Sequence, residues 1–65
     1  MKLRFVASHC DDGDCPTVYA TDRDTVVVQG LTIIDPAALA TLHLPLDETV
    51  VEIPRSLIIR AAERL

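Results

Sequence analysis

Thr17-Val18-Tyr19-Ala20-Thr21-Asp22-Arg23-Asp24-Thr25-Val26-Val27-Val28-Gln29 decides how this chain is read. Two runs of β-branched and aromatic residues flank three polar, turn-compatible ones, and that arrangement predicts two strands joined as a hairpin. Upstream, Lys2-Leu3-Arg4-Phe5-Val6-Ala7 alternates in polarity, which predicts a first strand with Leu3, Phe5 and Ala7 on one face and Lys2 and Arg4 in water. Downstream, Gly30 interrupts the β pattern before Leu31-Thr32-Ile33-Ile34, so the third and fourth runs are either one kinked strand or two.

Further along, the punctuation is helical. Asp35-Pro36 combines a good N-cap with a proline at the first helical position, where the missing amide costs nothing. A short helix over 37–42 follows, with Leu39 and Leu42 on one face and Pro45 beyond its end. Residues 49–53 alternate again and predict a half-buried strand. From Pro54, Leu57, Ile58, Ala61 and Leu65 form one stripe of an amphipathic C-terminal helix, with Arg55, Arg60, Glu63 and Arg64 largely elsewhere. The expectation is a single α+β domain over residues 1–65: a small antiparallel sheet of three to five strands, a short middle helix and an amphipathic C-terminal helix.

Sixty-five residues allow one small core. A chain of this size buries only about 60% of its unfolded surface, so a crosslink, metal or partner is expected to support it. Composition is nevertheless globular, at 49% apolar and 25% charged, with Phe5 and Tyr19 the only aromatic residues. So much aliphatic surface on so small a fold predicts a homodimer or a heteromeric partner. Six basic against ten acidic residues give a net charge of −4, which opposes direct nucleic-acid binding because that binding runs on Lys and Arg neutralising phosphates. No apolar run approaches the ~20 residues of a bilayer span, and basic residues interrupt the one near Met1. A cytoplasmic protein is expected.

The chemistry-bearing residues cluster in His9-Cys10-Asp11-Asp12-Gly13-Asp14-Cys15-Pro16. Two thiols in a C-x4-C spacing can form a disulfide, supply half of a zinc site, or remain free. The reducing environment of the cytosol favours free thiols over a bridge, and a bridge over metal. The metal alternative is zinc on Cys10, Cys15 and His9, with His43 a remote fourth ligand, but the second close pair of ligands that a zinc finger needs is missing. Asp11, Asp12 and Asp14 around Gly13 lack the length and distal Glu of a calcium loop and read as a solvated turn. Catalysis is not expected. His9 and Cys10 are adjacent and point to opposite faces of an extended chain, and neighbouring carboxylates disfavour a thiolate. His43 reads as a helix-end residue. Arg55, Arg60 and Arg64 on the C-terminal helix form a basic edge, Arg60 and Arg64 one turn apart, and Arg55, Ile59 and Arg60 are the expected partner-binding residues, Ile59 being an apolar residue off the buried stripe.

The motif running from Cys10 to Arg23, followed by Val26-Val27-Val28-Gln29-Gly30, Asp35-Pro36-x-x-Leu39 and Val51-Glu52-Ile53-Pro54, resembles a group of small actinobacterial proteins commonly encoded beside helix-turn-helix regulators. The resemblance extends from Cys10 to about Leu57, and more distantly the chain is similar to the BldB-type developmental proteins, from which it departs in having no Trp. What the resemblance implies is a regulatory or antitoxin-like accessory protein that partners a DNA-binding regulator, with no catalytic residues to carry over.

Overall fold

The computed structural model describes residues 1–10 and 15–65. The chain order is β1 (Leu3–Ser8), β2 (Thr17–Thr21), β3 (Val26–Gln29), β4 (Leu31–Thr32), α1 (Pro36–Thr41), β5 (Val51–Glu52) and α2 (Arg55–Arg64). Strands β1, β2 and β3 form an antiparallel meander in that order, while β4 and β5 pair as a separate two-stranded unit. The α+β class and both helices are as the sequence predicts.

The hairpin between β2 and β3 closes through Thr21 and Thr25. Thr21 N donates to Thr25 O at 3.0 Å, Arg23 N donates to Thr21 Oγ1 at 3.0 Å, and Asp24 takes φ 60°, a left-handed geometry that a short polar side chain tolerates. Pairing of Val18 with Val28 and Ala20 with Val26 sets the register and directs those four side chains to one face.

Strand β1 departs from simple alternation. Phe5 pairs with Tyr19 but Ala7 pairs with Val18, so Val6 is the extra residue of a β-bulge. The bulge resets the facing of every residue after it. Val6, Ala7 and Ser8 are consecutively buried, while Leu3 and Phe5 are exposed at 49% and 57%. The expected common inward face of Leu3, Phe5 and Ala7 is thereby corrected.

Helix α2 lies over β1 and β2 and completes the core of Val6, Ala7, Val18, Leu57 and Ala61, with Ala20 and Ile53 packed at its margin. Only Leu57 and Ala61 of the predicted stripe are buried; Ile58 is 58% exposed. Val26 and Val28 of β3 face the same side but stay exposed, since α2 does not extend over the third strand.

Gly30 separates the two sheets. A Cβ there would stand 2.6 Å from Ile53 Cγ2 and 2.7 Å from Glu52 O, so the close approach of β5 requires glycine. The predicted strands 31–34 and 49–53 shrink to two residues each, because they pair only with each other and no layer covers them. Asp35 caps α1 as its sequence signal demands, Oδ1 accepting from Ala37 N at 2.8 Å and Ala38 N at 3.2 Å. Yet α1 buries no residue at all.

Candidate interaction surface

Three regions carry the features from which a function can be built: the cysteine clip, a groove on the open face of the sheet, and the segment 30–54.

Cys10 and Cys15 are joined as a disulfide with Cα atoms 5.8 Å apart. This corrects the expectation of free thiols. Antiparallel pairing of Ser8 with Thr17 brings the departing ends of β1 and β2 to about the 5.5 Å spacing of opposed residues, which is also bridging distance. Hydrogen bonds brace the base of the clip. His9 N donates to Pro16 O at 2.9 Å, and Cys15 O accepts from the buried Thr17 hydroxyl at 2.7 Å and from Gln29 Nε2 at 3.1 Å. Ser8 Oγ donates in turn to Pro16 O at 3.3 Å. Among the described residues no buried side-chain nitrogen or oxygen is left without a partner.

While bonded to one another, Cys10 and Cys15 present no thiolate to a metal. His9 is exposed, and among the described residues no three of His, Cys, Asp or Glu converge as a ligand set. The carboxylate turn of Asp11, Asp12 and Asp14 lies outside the described residues.

Beside the clip, Phe5, Ser8, Cys10, Thr17 and Tyr19 of the sheet and clip, together with Arg60 and Arg64 of α2, line a groove of about 330 Å³. Phe5 with Tyr19, and Ser8 with Thr17, are cross-strand pairs, so the groove runs along the β1–β2 ladder. Arg60 Nη1 donates to Ser8 O at 2.9 Å and Arg64 Nη1 to Val6 O at 3.4 Å, on the edge of β1 that no strand covers. Each guanidinium keeps most of its five donors for other partners. No carboxylate of the described residues neutralises either one.

The predicted partner edge of Arg55, Ile59 and Arg60 lies on the surface of α2. Arg55, Ile59, Arg60 and Arg64 are all exposed, Ile59 at 60%, and Arg60 and Arg64 each also donate one hydrogen bond to β1. The four-residue spacing of Arg60 and Arg64 places both on one helical face, as their one-turn separation in the sequence predicts.

The third region is the segment 30–54. Leu31, Ile34, Leu39, Leu42, Leu44, Leu46 and Val51 are all exposed there, Leu46 fully so. The whole chain shows the effect: its accessible area is 5324 Å², against about 4,100 Å² for a compact monomer of 7.1 kDa. Its radius of gyration is 12.9 Å, where about 11 Å is the compact value for this length. No helix is long and apolar enough to cross a membrane among the described residues. No family model, curated protein or solved structure matches this chain.

Proposed function

We propose that this chain is a non-enzymatic regulatory interaction module, an accessory or antitoxin-like partner of a helix-turn-helix DNA-binding regulator, acting in the cytoplasm as a homodimer. The observation that supports an interaction role is the arm 30–54, whose apolar side chains are presented to solvent by a segment with almost no core of its own. Exposed apolar surface on this scale marks a surface meant for another macromolecule. The net charge of −4 argues that the partner is protein rather than DNA, so contact with a promoter runs through the regulator. The resemblance of the Cys10 to Leu57 region to proteins encoded beside such regulators names the partner class.

The test is co-purification of the tagged chain from native extract, followed by reconstitution with any regulator recovered. A stoichiometric complex that alters the regulator's operator affinity is expected. Recovery of no DNA-binding protein, together with failure to bind the regulator encoded nearest its gene, sinks the reading.

A second reading is favoured by the disulfide: a thiol–disulfide or zinc-binding module on Cys10, Cys15 and His9. It requires that reduction of the pair be reversible under physiological reductants or that the reduced chain bind zinc. Thiol titration and metal analysis of reduced protein decide it, and the absence of both redox cycling and bound zinc removes it.

A further inference from the structure

We infer that the arm 30–54 of one copy docks into the Phe5–Tyr19–Arg60–Arg64 groove of a second copy, giving a dimer held by two reciprocal arm exchanges; this rests on the interaction-module reading and deepens it.

The partition of charge selects a second copy as the occupant. Segment 30–54 contains four acidic residues, Asp35, Asp47, Glu48 and Glu52, and no Lys or Arg, so it carries the entire net charge of −4. All six basic residues lie in the rest of the chain, where they balance the other six acids. The basic groove and the acidic arm therefore belong to one sequence and are complementary in sign.

The chemistry of the two surfaces also matches. Leu44-Pro45-Leu46-Asp47-Glu48 places two exposed leucines directly before two exposed carboxylates. In the groove, Phe5 and Tyr19 offer aromatic surface, while Arg60 and Arg64 carry guanidiniums that no carboxylate of the described residues neutralises. Leu46 seats against the aromatic pair and Asp47 and Glu48 meet the two arginines, which their contacts to Ser8 O and Val6 O hold at the groove's rim.

The area is sufficient. The chain exposes roughly 1,200 Å² more than a compact monomer of its mass, against about 800 Å² buried per partner in a standard interface. Reciprocal exchange between two identical chains closes as a two-fold dimer and leaves no unsatisfied arm to propagate a fibre.

Sedimentation equilibrium of the full chain tests this, over about 1 to 100 µM protein, the weak end of the affinities such interfaces span. A dimer is expected that dissociates as ionic strength rises. Two charge-reversal variants follow: groove variant Arg60→Glu with Arg64→Glu, and arm variant Asp47→Lys with Glu48→Lys. Each alone is expected to weaken the dimer at least roughly tenfold through like-charge contact. An equimolar mixture restores it as a heterodimer, because each arm then faces a groove of opposite sign. Phe5→Ser, at an exposed position outside the core, is the independent groove variant and is likewise expected to weaken association should the double Glu variant lose its helical circular dichroism. A parent that stays monomeric throughout overturns the inference, as does a dimer that is unaffected by the variants or not restored on mixing. A monomer that still binds a regulator removes the exchange and the homodimer but leaves the regulator-partner reading standing, whereas a restored heterodimer with no regulator bound does the reverse.

Discussion

Arg60 Nη1 donates to the carbonyl of Ser8 at 2.9 Å, a contact across 52 residues that fastens the C-terminal helix to the first strand. Arg64 repeats it one turn later on Val6 O at 3.4 Å. Four helical residues rise about 6 Å and two strand residues about 6.8 Å, so the helix repeat matches the carbonyl repeat of an open strand edge. Capping that edge with cations also discourages another strand from pairing there.

Replacing Arg60 with Ala is expected to lower stability by about 1 kcal/mol, the net worth of a partly exposed charge-assisted hydrogen bond. Arg64→Ala, with its longer contact, should cost less. Urea denaturation measures both, and equal or larger loss at Arg64 would contradict the edge-capping account.

Leu57 is 1% exposed and is the largest apolar side chain at the centre of a core that otherwise contains only Val and Ala. Leu57→Ala should cost about 2 to 5 kcal/mol, a large share of the stability of so small a domain. Far-ultraviolet circular dichroism during thermal unfolding will show a lowered midpoint or a chain already unfolded at room temperature. Ile58→Ala, one residue away but exposed, should be nearly neutral.

Opening the Cys10–Cys15 bond, by reductant or by Cys15→Ser, removes a six-residue loop closure worth about 2 kcal/mol in the chain-entropy description. The parent should melt roughly 8 to 16 °C lower with reductant than without it. Cys15→Ser should melt at the lower temperature in both conditions.

Asp35→Ala deletes both cap bonds of α1 and should cost about 1 kcal/mol of helix stability. Because α1 buries nothing, the loss stays local. Amide exchange should rise in residues 36–42 while the global unfolding midpoint hardly moves, and a large midpoint shift would show that α1 is coupled to the core.

Gly30→Ala sets a methyl against Ile53 Cγ2 and the Glu52 carbonyl, and overpacking of this kind costs about 1 to 3 kcal/mol. Pairing of β4 with β5 should loosen first. Loss of exchange protection confined to the Leu31–Glu52 and Thr32–Val51 pairs is the readout.

Short-range chemistry along this chain is sufficient for the hairpin at Asp22-Arg23-Asp24, the capped start of α1 at Asp35-Pro36, the span of α2 and hence the α+β class, since each depends on neighbours within a turn or two. The candidate site is less legible. The bulge at Val6 reverses the facing of β1 because register belongs to the pairing with β2, and no periodicity within residues 2–7 records it. The turning of Arg60 and Arg64 onto β1, the closing of Cys10 on Cys15 and the stranding of Leu39 and Leu42 in solvent all depend on where distant segments come to lie. Sequence periodicity says which residues can share a face; only packing settles whether anything covers that face, and over residues 30–54 nothing among the described residues buries α1 or its leucines.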